Sequence, residues 1–152
     1  MWDLGLRNKP DFLMAMKRIY AWYEQDIIDR PPIRFTAHNA DFSAAKAARG
    51  RTWKSLMDKW FDVEFQIDYF IESIKGQPFN AETFPVFWPN LGPEVYAAFY
   101  GAELEFQEVT SYSIPPVKEW KDVSKLSLKW NNVYLKKLDE FTIQALERCG
   151  DL

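Results

Sequence analysis

The residue types best suited to chemistry in this chain fall in two short runs, His38-Asn39-Ala40-Asp41 and Trp88-Pro89-Asn90. His38 is the sole histidine, and imidazole is the side chain whose ordinary pKa lets it take up and release a proton near neutrality. Asp41 offers a carboxylate as its partner in acid–base work. Asn39 and Asn90 offer amides that can hold a substrate's polar groups, and Trp88 offers an indole on which a flat group can stack. His38 and Asp41 also have a plainer reading, as side chains that satisfy backbone groups in a turn.

Other chemistries are poorly supplied. One His and one Cys cannot complete a zinc site without carboxylates or another chain. Cys149 falls at the end of a helical pattern, where the dipole disfavours a thiolate. No phosphate-binding loop, nucleophile elbow, H-E-x-x-H helix or dinucleotide fingerprint is present. Nineteen basic against 22 acidic residues give a net charge of −3, so no phosphate-tracking surface, and hence no nucleic-acid partner, is expected. A lone cysteine, with neither a signal peptide nor a long apolar span, predicts a soluble cytoplasmic protein without a membrane partner. Of the seven tryptophans, Trp60 is expected in the core, Trp53, Trp120 and Trp130 at element boundaries, and Trp88 facing a ligand.

The elements that must position these groups follow from periodicity. Leu13, Met16, Tyr20, Tyr23 and Ile27 form one helical stripe after an Asn8-Lys9-Pro10 start, with an end near Asp29 before Arg30-Pro31-Pro32. Ile33 to Ala37 reads as a strand running into His38. Residues 43–52 read as a frayed helix or a loop. Leu56, Trp60, Val63, Ile67, Phe70 and Ile74 give a second helix ending at Gly76, with Asp58, Asp62, Asp68 and Glu72 on a solvated face. Thr83 to Trp88 is the second strand, with Pro85 near its start or on an edge. A short helix from Pro93 to Tyr100 follows, then a strand over 103–109 with a hairpin partner at 112–114. Trp120 anchors a connection, and a last helix runs from Asn131 or Asn132 to Arg148. Alternating strands and helices imply a parallel sheet whose ligands gather at the carboxyl ends of its strands, where both polar runs lie.

The succession of Arg30-Pro31-Pro32-Ile33-Arg34-Phe35, a long helix, Phe84-Pro85-Val86-Phe87-Trp88-Pro89-Asn90 and Tyr100-Gly101-Ala102-Glu103-Leu104-Glu105-Phe106 resembles the N-terminal part of the uroporphyrinogen decarboxylase superfamily. That superfamily also contains corrinoid- and coenzyme M-linked methyltransferases. The resemblance covers most of the chain from residue 30 onward, and its motifs are topological steps more than invariant chemistry. It implies an α/β fold, the N-terminal portion of a partial (β/α)8 TIM barrel, with about two barrel strands, a β-hairpin and flanking helices in one domain over 1–152. A complete barrel takes roughly 250 residues, so 152 residues are too few for one.

The departures are specific. The decarboxylases carry an Arg-Gln-Ala-Gly-Arg segment after the first strand, where this chain has Ala37-His38-Asn39-Ala40-Asp41, and an Asp where this chain has Asn90. Tetrapyrrole decarboxylation is therefore not expected. In the methyltransferase branch the zinc ligands lie in the later half of the barrel, so the resemblance implies no cofactor in this chain, with zinc and a corrinoid protein as options for a longer one. Two expectations result. The first is an N-terminal fragment whose full-length relatives act on a small molecule by methyl transfer or a related lyase reaction, with His38 and Asp41 catalytic and Asn39, Trp88 and Asn90 binding substrate. The second is a noncatalytic binding or assembly domain that uses an aromatic surface, as in a homo-oligomer.

Overall fold

The computed structural model describes residues 4–35 and 40–150, and of residues 40–43 the backbone alone. It is mixed α/β, with six α-helices, one 3₁₀ helix and a two-stranded antiparallel sheet among the described residues. Helix α1 spans Phe12–Tyr23, shorter than the stripe predicts at both ends. It begins at Asp11 without a side-chain cap, the Asp11 carboxylate pairing instead with the buried Lys9 ammonium at 2.8 Å. Its end comes where Gln25 adopts φ +60, a left-handed turn that no glycine or proline announces.

Helix α2, Ala40–Ala47, begins within the polar run read as a strand end and takes in the first half of the 43–52 stretch read as frayed helix or loop. The long second helix is two helices, α3 over Leu56–Phe61 and α4 over Val63–Ile74. Asp62 breaks it. Its backbone is extended (φ −74, ψ 91), and its side chain accepts the Phe65 N–H at 2.9 Å, so one residue ends α3 and caps α4. Ser55 caps α3 in the same way, accepting from Asp58 N–H.

Neither expected barrel strand forms a ladder. Residues 31–35 and 83–90 are extended without strand pairing, which corrects the strand readings at 33–37 and 83–88 so far as they are described. The two segments are nevertheless neighbours. Glu82 N–H donates to Ile33 O at 3.0 Å, Phe35 N–H donates to Thr83 Oγ1 at 2.7 Å, and Thr83 Oγ1 donates back to Phe35 O at 3.0 Å. The order, 33 with 82 and 35 with 83, is that of segments running the same way. A regular ladder is obstructed because Pro31, Pro32 and Pro85 have no N–H to give, and the Thr83 hydroxyl takes the place of backbone groups.

Helix α5, Val95–Phe99, leads into strands β1, Glu103–Phe106, and β2, Ser111–Ile114, paired with Glu103 opposite Ile114 and Phe106 opposite Ser111. The alternation predicts this hairpin, although its first strand stops at Phe106, short of Val109, and its second starts at Ser111. A 3₁₀ helix, Trp120–Lys125, precedes α6, Val133–Cys149, which Asn132 caps by accepting from Leu135 N–H at 2.8 Å. Trp120 anchors nothing: it is 91% exposed.

The main core lies where α4, α6 and the hairpin meet, around Ile67, Leu91, Leu104, Phe106 and Phe141. Trp60 packs against it as expected, its ring near Phe106 and its N–H donated to Gln107 O at 2.8 Å. Tyr134 ties α6 to the hairpin by accepting from Leu104 N–H at 3.0 Å. At Gly92, φ is +102 and an added Cβ would lie 1.8 Å from Ser111 Oγ, which itself donates to Leu91 O. Only glycine permits that approach, and it holds the turn after Asn90 against β2.

Candidate functional site

Helix α4, α3, the 87–90 segment and the hairpin turn enclose a cavity of about 540 Å³. Its walls combine rings of Trp60, Phe65, Tyr69, Phe70, Phe87, Trp88 and Phe141 with the polar groups of Gln66, Ser73 and Asn90. A cavity of this size with a mostly apolar lining and a few convergent polar groups is the usual form of a small-molecule site. Phe87 fixes one wall by packing edge-on against Phe70 at 5.4 Å and against Phe141 at 6.4 Å. Phe65 and Tyr69, one turn apart on α4, lie nearly parallel at 18°.

Two of the five residues singled out from sequence meet here. Trp88 stands at the rim, 79% exposed, and Asn90 lies on the same wall. Asn90 also has a structural task, because its Oδ1 accepts the Gly92 N–H at 2.8 Å. His38 and Asn39 lie outside the described residues, as does the side chain of Asp41, whose backbone is in the first turn of α2. Ala44 of the same helix lines the cavity.

The polar edge of the cavity can be read atom by atom. Gln66 Nε2 donates to Lys59 O, which leaves its carbonyl as an acceptor. Ser73 Oγ donates to Phe70 O at 2.7 Å, so its lone pairs remain. Asn90 uses its oxygen in the turn and keeps its NH₂ as donor. Among the described residues of the lining the charged ones are Lys59 and Glu108, which pair with each other at 3.0 Å.

Sequence reasoning missed Gln66, Tyr69 and Ser73, although their spacing of three and four marks one face of a helix. It also missed a buried charge cluster beneath the paired segments. Glu82, 0% exposed, accepts from Arg30 at 2.7 and 2.8 Å, from Arg18 at 3.1 Å and from Ile33 N–H at 2.7 Å. Burial alone would raise this carboxyl, but Arg30, the Ile33 amide and Arg18 together hold it down to about 2. Beside it Lys9, 1% exposed, donates to Phe79 O at 2.8 Å and to Ala81 O at 2.5 Å. On the face of Asp58, Asp62, Asp68 and Glu72, Asp58 is exposed and the other three are half-buried. Asp62 and Asp68 pair with Arg51, and Glu72 pairs with Lys46 and Lys75.

No protein-family model, curated protein or solved structure matches the chain. Among the described residues no group of three or more His, Cys, Asp or Glu side chains could hold a metal ion, and no helix is long and apolar enough to cross a membrane. Burial pushes the Cys149 thiol up, against the smaller opposing pull of Arg148, so it is held as a thiol at the end of α6.

Proposed function

We propose that this chain is the N-terminal part of a decarboxylase-like (β/α)8 barrel protein acting on a small molecule, by methyl transfer or a related lyase reaction, with its substrate at the cavity beside Trp88 and Asn90. The observation that supports this reading most is the pair of extended segments at 33–35 and 83–88. They run the same way side by side, and the second leads directly to the cavity wall. The second alternates as a strand does, with Phe87 half-buried on Phe70 and Phe141 between exposed Val86 and Trp88, while Ile33, Arg34 and Phe35 of the first are all exposed. In a barrel, such residues would meet the strands that complete it.

In this reading His38 is the acid–base group, Asp41 its carboxylate partner, and Asn39 joins Asn90 and Trp88 in holding substrate. The described residues do not fit a zinc site, so no step of the reaction is routed through zinc or a corrinoid. Both belong, in this proposal, to the longer protein or its partner. The test is the coding region downstream of the Leu152 codon. Continuation into further strand–helix units is expected, and a stop codon there would overturn the reading.

A second reading, a noncatalytic assembly domain that associates with itself, is favoured by the breadth of exposed aromatic surface. Trp88, Trp120 and Trp130 are each at least three-quarters exposed, and aromatic side chains are enriched at interfaces. The same coding region distinguishes it: a stop after the Leu152 codon favours this reading, and continuation into further strand–helix units removes its premise.

A further inference from the structure

We propose that the cavity beside Trp88 selects a flat, uncharged ring of one or two fused cycles with a hydrogen-bonding edge, such as a nucleobase or an aromatic carboxamide. The proposal rests on reading this cavity as the substrate site and adds the chemical class of what enters it. Flatness follows from the walls. Trp88 is presented to solvent at the rim with Tyr69 and Phe65 on the same cavity, and rings of this kind gain most from stacking a π-face. Lack of charge follows from the pairing of Lys59 with Glu108: among the described residues no other charged side chain lines the cavity, so an anion would have to draw Lys59 away from its partner. The edge follows from the polar atoms that remain. Asn90 NH₂ can donate, while Gln66 Oε1 or, two helical turns along, Ser73 Oγ can accept, which matches a ligand carrying an acceptor beside an N–H, as a carboxamide or a base does.

The cavity of about 540 Å³ leaves space for one or two rings and is open enough for substituents to extend into solvent.

The experiment is titration of the 152-residue chain, followed by the indole N–H signals of its tryptophans in ¹H–¹⁵N spectra and assigned by single Trp→Phe variants. The probes are adenine and benzamide, with cyclohexanecarboxamide as the ring-saturated counterpart of benzamide and benzene-1,3,5-tricarboxylate as a flat polyanion. Adenine and benzamide are expected to shift the Trp88 signal saturably while Trp120 and Trp130 stay still. Loss of the stacking surface in Trp88→Ala should weaken adenine binding by about tenfold, the typical effect of removing one stacked ring. Asn90→Asp keeps the oxygen that accepts from Gly92 N–H but removes the donor, so it should weaken benzamide with little change in melting temperature.

If cyclohexanecarboxamide or the tricarboxylate shifts Trp88 at the same concentrations as benzamide, the ligand class is wrong although the site stands. If no probe moves Trp88, or all four move Trp120 and Trp130 equally, both the class and the site are wrong.

Discussion

Glu82 shows how much one side chain can carry. A fully buried carboxylate survives only when its desolvation is offset by charged and polar partners, and here two guanidinium groups and a backbone N–H converge on it. Its contact with Ile33 N–H joins the first extended segment to the turn that opens the second. Removing one member of such a cluster leaves the others facing low-dielectric surroundings, so Glu82→Gln is expected to cost about 3 kcal/mol in denaturant unfolding. The pH dependence has a definite sign. The folded carboxyl titrates at about 2 against an ordinary 4.5, so its stabilisation is complete above pH 4.5 and is lost as pH falls from there towards 2. Unfolding measured across that window should show the slope in the native chain and a smaller one in Glu82→Gln. Asp29, whose hydrogen bond to Arg18 likewise holds it down to about 2, adds to the slope, as do Asp68, Glu72 and Glu94, which their partners also lower.

Among the helices, the break at Asp62 decides where the cavity can be. An unbroken helix from Leu56 to Ile74 would carry Gln66, Tyr69 and Ser73 along a single axis with Trp60. The cap at Asp62 instead sets α4 at its own angle, and the same carboxylate receives the Trp53 N–H at 2.9 Å and the Arg51 guanidinium at 3.3 Å. Replacing Asp62 by Ala removes the cap and both tethers. A loss of about 2 kcal/mol is expected, the upper end for a lost helix cap, while Asp62→Asn should recover most of it by keeping an acceptor for Phe65 N–H. Equal losses in the two variants would show that the pairing with Arg51, and not the cap, matters. The helical stripe of Leu56 to Ile74 was legible in the sequence, but the break was not, because an aspartate inside an amphipathic pattern fits a solvated face as readily as a cap.

Across the whole chain, the exposed faces of Ile33, Phe35, Val86 and Trp88 stand out as apolar groups on adjacent extended backbone. Contiguous surface of this kind is a usual site of association. The 152-residue chain is therefore expected to gain mass with concentration in light scattering, and Val86→Lys should suppress that gain without lowering the melting temperature. Retention of the association in Val86→Lys would move the contact elsewhere, to the region of Trp120 and Trp130. Within the barrel proposal the same face is where the remaining strands would pack, so its self-association would compete with that packing.

Amphipathic period and capping chemistry are local, and they sufficed for the hairpin within 103–114, for α6 behind Asn132 and for Trp60 in the core. Long-range pairing is not local. That Lys9 would leave the helix start to bind Phe79 and Ala81 carbonyls, that Arg18 and Arg30 would meet Glu82, and that the segments at 33 and 83 would be joined by a threonine hydroxyl instead of a ladder depend on partners about 50 to 70 positions away. Composition and periodicity determined which faces are apolar and where most helices begin. Only the tertiary structure decided which buried charges find each other, because the cost of burying a charge is met solely by the groups that the completed fold brings within hydrogen-bond distance.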